Sequence, residues 1–160
     1  MTLRYHTPLN AQEQAAFGID PPAPLAMADR VRFGELDVLN HVNNAVYMQW
    51  FESVRVNYLS LFAETTYAEA GSKPRIVIRS ATVHYREEMR LGESYVVTCA
   101  CTVFRNTSLT MQQQIWSDAR LRATLDVVLV LLNPDGSGRY PIPQALRRHF
   151  IDVDGATPEN

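Results

Sequence analysis

Residues 31–52 read VRFGELDVLNHVNNAVYMQWFE, and the stretch changes period halfway along. Its first half, GELDVLNHVNN, is dense in Gly, Asp and Asn, residues that accept turn geometry at low cost, so it reads as a tight loop. From residue 44 to about 63 the apolar side chains Tyr47, Trp50, Phe51, Val54, Tyr58, Leu61 and Phe62 recur at three- and four-residue steps, which predicts one long amphipathic helix. Gln49, Glu52, Arg55 and Ser60 fall on the opposite face in this reading. Large aromatics dominate the apolar stripe, so the helix is expected to lie against something broad, a sheet rather than one neighbouring helix.

Upstream of this stretch, residues 26–33 (AMADRVRF) alternate loosely enough to form a first strand. The preceding arm carries Pro8, Pro21, Pro22 and Pro24, with Asn10 and Glu13 spaced as a capping box for a short helix that Gly18 can close. Downstream, after a linker with Gly71 and Pro74, four runs rich in Val, Ile, Thr, Tyr and Leu cover 75–87, 94–105, 108–117 and 121–132. Short polar turns separate them, so they read as consecutive antiparallel strands. Residues 127–132 (VVLVLL) are apolar on both faces, as in a central strand or one covered at an interface. NPDGSG at 133–138 is a turn by composition, and Pro143 opens a short final helix. The division expected is an N-terminal extension (1–26), one domain (27–151) and a loose polar tail (152–160). Strand, long helix and four strands make an α+β architecture whose open sheet edges invite self-association, as a homodimer or homotetramer.

Composition narrows the function classes. At 160 residues, 46% hydrophobic and 20% charged, the chain supports one ordinary globular core. A net charge of -2 and a pI near 6.1 provide no basic footprint for phosphate backbones, so nucleic acid is excluded as a partner. The N-terminus has no apolar segment of signal-peptide length, and the longest apolar run, 127–132, is far too short to span a bilayer, so a soluble cytoplasmic protein with no membrane partner is expected. Cys99 and Cys101 sit one residue apart in an alternating run, where a disulfide would be strained and no third metal ligand is near, so they read as buried reduced thiols. Neither a Gly-x-Ser-x-Gly elbow nor a His-Glu-x-x-His metal motif occurs.

Asp37, His41, Val42, Asn43, Asn44 and Tyr47 spell D-x-x-x-H-V-N-N-x-x-Y immediately before and into the long helix. In order and spacing this resembles the 4-hydroxybenzoyl-CoA thioesterase branch of the hotdog superfamily. The resemblance continues through Asn106, Thr107 and Ser108 and through Tyr140-Pro141-Ile142-Pro143, covering about residues 28–150. It implies a hotdog fold, an antiparallel sheet wrapped around one long central helix. It also implies an acyl-thioester hydrolase, an acyl-CoA thioesterase with acyl-carrier protein as the other possible carrier, and no cofactor or metal. Asp37 is then the catalytic carboxylate. His41, Asn43, Asn44, Ala45 and Tyr47 contact substrate, while Thr107 and Ser108 serve the neighbouring subunit's site, with Arg105 beside them as a cation for the phosphates of coenzyme A.

Elementary chemistry agrees with these roles. A helix start offers unpaired N–H groups and partial positive charge to a developing oxyanion, here from around Asn44 and Ala45. A nearby carboxylate can act as general base toward water, or as the nucleophile forming a mixed anhydride. A thiol leaves readily without a strong general acid, so the absence of a serine elbow or metal motif is no obstacle. Each residue also has another reading: Asp37 as a turn residue, His41 as a general base or as a shaper of the loop, Asn43 or Asn44 as a helix cap, Tyr47 as core, Thr107 and Ser108 as a turn. Asn40 stands where some relatives place Gly, and it tolerates left-handed backbone better than most residues. Glu52, the candidate for the glutamate used by another hotdog branch, lies more than two turns into the helix. The alternatives are a hotdog enoyl-thioester hydratase, whose G-D-x-N-P-x-H spacing is absent, and a non-catalytic acyl-thioester binding module.

Overall fold

The computed structural model describes residues 3–61 and 65–160. In chain order these are α1 (Ala11–Ala15), β1 (Leu25–Arg30), a single 3-10 turn (Phe33–Glu35), α2 (Asn44–Ser60), α3 (Thr66–Glu69), β2 (Arg75–Tyr85), β3 (Ser94–Phe104), β4 (Ser108–Ser117), β5 (Arg120–Leu132), α4 (Gln144–Asp152) and β6 (Thr157–Pro158). The long helix and the four later strands stand where the periodicity put them. Phe62 and Ala63, assigned to the helix from sequence, lie outside the described residues.

The five main strands form one antiparallel sheet in the order β1-β3-β4-β5-β2, and β6 adds a short parallel contact to β3. Period-two alternation sorts the faces: along β4, Leu109, Met111, Gln113 and Ile115 are buried beneath the helix, while Thr110, Gln112 and Gln114 face outward. α2 lies on the inner face. Phe51 is fully buried, Tyr47, Val54 and Tyr58 nearly so, and Trp50 stacks on Tyr95 of β3 with ring centroids 4.0 Å apart and 23° between planes. Burying one such ring is worth about 2–3 kcal/mol, so this aromatic stripe holds the helix to the sheet. Cys99 and Cys101 project into the same core as free thiols, and burial pushes Cys101 up to about 12.

Three details depart from the sequence reading. Arg55, assigned to the exposed face, is buried: its guanidinium donates to Gln113 Oε1 at 3.1 Å, and Gln113 in turn donates to the Phe51 carbonyl at 2.8 Å. A charge is tolerated there because a polar partner was already buried opposite it. Leu61, assigned to the buried stripe, is exposed because the helix ends at Ser60. The tail, expected to be loose, is tied down. The Asp154 side chain is fully buried and its Oδ2 accepts from the Tyr58 hydroxyl and from the Cys101 amide, Ala156 enters the core, and Thr157–Pro158 pair with β3.

The N-terminal arm is also packed. Leu9 and Ile19 join Ala26, Ala28 and Val96 in a second small core on the outer side of the sheet. The capping box of α1 is formed by Asn10 and Glu13, and Gly18 takes φ +80 where an added Cβ would meet the Ala119 carbonyl oxygen at 3.1 Å. The arm runs along β1, with the His6 amide donating to the Ala28 carbonyl (3.0 Å) and the Leu9 amide to the Ala26 carbonyl (2.9 Å). One sheet edge is thereby covered. The other, the eleven residues of β2, is paired on its β5 side and has no partner on its outer side among the described residues.

Candidate active site

The loop before α2 closes on itself. The Asp37 amide donates to the His41 carbonyl at 2.8 Å, the Asn40 amide to the Asp37 carbonyl at 3.1 Å, and Leu36 bridges Val42 as in a miniature hairpin. Asn40 supplies the left-handed residue, φ 59, that this turn requires, which Asn does at less cost than most side chains. The Asp37 carboxylate is partly exposed and its Oδ1 accepts from the Leu39 amide at 2.8 Å, so one oxygen is anchored by the loop. Two further bonds fix the loop to its surroundings: Val42 amide to Met89 carbonyl (2.9 Å) and Asn43 amide to Glu35 carbonyl (2.9 Å).

Asn43 caps α2, its Oδ1 accepting from the Ala45 amide at 2.9 Å, and its carbonyl accepts from the Val46 amide. Of the two amides that sequence reasoning offered to an oxyanion, Ala45 is thus engaged by its cap. The Asn44 amide makes no hydrogen bond among the described residues. The Asn44 carbonyl accepts from the Tyr85 hydroxyl at 3.0 Å, which braces this peptide from β2.

Asp37, His41, Val42, Asn44, Tyr47, Tyr85, Arg86, Glu87 and Glu88 enclose a shallow cleft of about 280 Å³ at the start of α2. Tyr47 serves as both core and wall: it is buried, packs edge-on against Tyr85 at 5.2 Å, and burial pushes its phenol up to about 12. Four of the residues nominated from sequence therefore meet in one place. Tyr85, Glu87 and Glu88 were not nominated. Their HYREE context at the end of a strand is an ordinary strand terminus, and only the sheet's strand order sets it beside the helix start.

Arg105 and Ser108 lie elsewhere within the chain. With Arg79, Ser80 and Thr110 they line a separate outer-face cavity of about 450 Å³ beside β2. Arg105 pairs with Glu159 at 2.9 Å, and the Thr107 carbonyl accepts from the Leu131 amide. Glu52 is exposed on α2, 3.9 Å from Arg55, and does not line the cleft. Among the described residues no group of three or more His, Cys, Asp or Glu side chains is arranged to hold a metal ion, and no described helix is long and apolar enough to cross a membrane.

Known proteins share this architecture. The chain is similar over 99% of its length, and over 100% of the other, to the crystal structure of a thioesterase-superfamily protein from Jannaschia sp. CCS1, with 42% identity and a TM-score of 0.89. A thioesterase from Thermus thermophilus, solved with coenzyme A and zinc, is 28% identical, with coverage of 86% and 98% and a TM-score of 0.72. A protein from Bacillus stearothermophilus described as a predicted thioesterase is 26% identical, with coverage of 84% and 98% and a TM-score of 0.70. No curated protein sequence matches the chain. The model of the thioesterase-like superfamily matches residues 31–150, a span that runs from the aspartate loop through α2 and strands β2 to β5 into α4, and the chain, a hotdog α+β domain, belongs to that superfamily.

Proposed function

We propose that this chain hydrolyses acyl-CoA thioesters at the cleft before α2, with Asp37 as the catalytic carboxylate. The observation that carries the reading is the convergence of Asp37 and the unbonded Asn44 amide on one cleft at a helix N-terminus, in a member of the thioesterase-like superfamily. Asp37 takes a proton from water as the water oxygen attacks the thioester carbonyl. The Asn44 amide and the partial positive charge of the helix start stabilise the oxyanion. Collapse of the tetrahedral intermediate breaks the C–S bond and releases coenzyme A as thiolate, which takes up the proton, leaving a carboxylic acid. If Asp37 instead attacks the carbonyl directly, the same groups stabilise the same charge, and rapid quenching would trap labelled acyl group on the protein. Coenzyme A as carrier is supported by its presence in the T. thermophilus structure.

The active form is a homodimer joined through β2. Among the described residues the outer edge of this strand has no partner, and Val77, Ile78 and Tyr85 on it are exposed apolar side chains. Antiparallel pairing of β2 with its copy would set Tyr85 of one protomer toward the Arg75–Val77 end of the other. Ser108 stands in the same rung as Val130 and Val77, so Thr107, Ser108 and Arg105 of one copy would approach the cleft of its partner. The test is thiol release from a panel of acyl-CoAs by wild type and by Asp37→Asn. Turnover by wild type with a loss of roughly a hundredfold or more in folded Asp37→Asn is expected. Equal release by both would remove Asp37 from the mechanism.

A further inference from the structure

We infer that Glu88 is a positioning residue for His41, holding its imidazole by Nε2 so that Nδ1 remains free to accept a hydrogen bond from substrate in the cleft. The inference rests on the reading of the cleft as the thioester site. His41 Nε2 lies 2.9 Å from Glu88 Oε2, while the other carboxylate oxygen, Oε1, accepts from the Arg90 guanidinium. The two oxygens thus have separate partners, and Arg90 stops the carboxylate from turning away from the histidine. Arg90 Nη2 also stands 3.5 Å from the same Nε2, a longer approach than that of the Glu88 carboxylate and one that makes no hydrogen bond while Nε2–H is donated to Glu88, and the Arg90 amide is held by Glu93 Oε1 at 2.9 Å. The Arg90 guanidinium beside it holds the Glu88 carboxyl below the usual glutamate range, which keeps it an acceptor at neutral pH.

The backbone is built to keep this register. Val42, next to His41, donates to the carbonyl of Met89, next to Glu88, so the two segments run side by side at a fixed offset. Arg122, buried at 7% exposure, anchors the segment from beneath: it donates to Glu87 Oε2 and to the Glu88 carbonyl, both at 3.1 Å, and to the Ser117 carbonyl at 3.3 Å. On the other side, the Asp37 amide is bonded to the His41 carbonyl, so any displacement of His41 is transmitted to the catalytic loop. With Nε2–H donated to a carboxylate, a neutral imidazole presents Nδ1 as a lone-pair acceptor. No hydrogen bond to His41 Nδ1 occurs among the described residues. A hydrogen-bond donor on the acyl thioester, such as an amide N–H of the pantetheine arm or a hydroxyl on the acyl group, has the chemistry to meet it.

The test combines Glu88→Ala, Glu88→Gln and His41→Gln with the double variant. Glu88→Ala should lower kcat/KM roughly ten- to a hundredfold, as misplacing a substrate-orienting group does. Glu88→Gln keeps an oxygen acceptor and should recover most of that loss. In the His41→Gln background Glu88→Ala should cost nothing further, because its effect runs through His41. In proton NMR, the downfield imidazole N–H resonance that disappears in His41→Gln should also disappear in Glu88→Ala and survive in Glu88→Gln. Additive kinetic losses, or a resonance indifferent to Glu88, would overturn the inference. If the resonance behaves as expected but wild type releases no thiol from any acyl-CoA, the pairing stands and the proposed reaction is what fails.

Discussion

Asp154→Ala should destabilise the fold by about 2–4 kcal/mol, because one buried carboxylate oxygen serves two donors. Its Oδ2 accepts from the Tyr58 hydroxyl on α2 and, at 2.7 Å, from the Cys101 amide on β3, while Oδ1 lies 3.5 Å from His149 Nε2. Hydrogen bonds to a charged acceptor contribute roughly 1.5–3 kcal/mol each, and removing a carboxylate that burial disfavours returns part of the loss. In a domain of this size that corresponds to a fall in Tm of roughly 5–15 °C. Asp154→Asn presents an oxygen in the same place and should lie much closer to wild type at neutral pH. Burial raises the Asp154 carboxyl above its ordinary value. A raised carboxyl binds its proton more readily in the folded protein, so stability from this group grows as pH falls through the raised value and is complete below about 3.9. Wild type should therefore gain on Asp154→Asn as the solution is acidified toward that limit. The assay is urea denaturation of the three proteins from neutral pH down to about that value. Equal stability of the Ala and Asn variants would refute the claim that shared acceptance by Oδ2 holds the tail.

Glu13 behaves in the opposite sense: its bond with Arg4 lowers it to about 2, so its contribution is present above about 4.3 and lost as pH falls toward 2. Limited proteolysis should find the N-terminal arm opening in that window in wild type and at every pH in Glu13→Gln, whereas an arm equally resistant in both would count against this pairing. For the edge of β2, Ile78→Lys should move the protein on size-exclusion chromatography from dimer to monomer mass, since placing like charges across a two-fold strand pair is repulsive. A wild type that elutes as a monomer would sink the proposed dimer.

Much of this molecule was legible without coordinates. Tyr47, Trp50, Phe51, Val54 and Tyr58 mark the central helix because a 3.6-residue period is imprinted on any helix that buries one side. The strands announce themselves through β-branched runs, and the Asp37–Tyr47 spacing carries the family resemblance. The Asn10–Glu13 capping box was readable because it is a short-range contest between side chain and backbone decided within a few residues, whereas the turn at Asn40 was marked by the Gly that some relatives place there.

What tertiary structure alone decided involves partners far apart in sequence. Glu88 meets His41 across 47 positions, and Asp154 reaches Tyr58 and Cys101 across 96 and 53. Arg55 looked like a surface charge until Gln113 was found buried opposite it, and the tail looked loose because its anchor, one aspartate, is indistinguishable in sequence from a solvated one. Periodicity reports which side of an element is buried. It carries no information about which other element does the burying, because strand order and the path of the chain ends are set by packing of the whole sheet, and no fixed sequence separation encodes them.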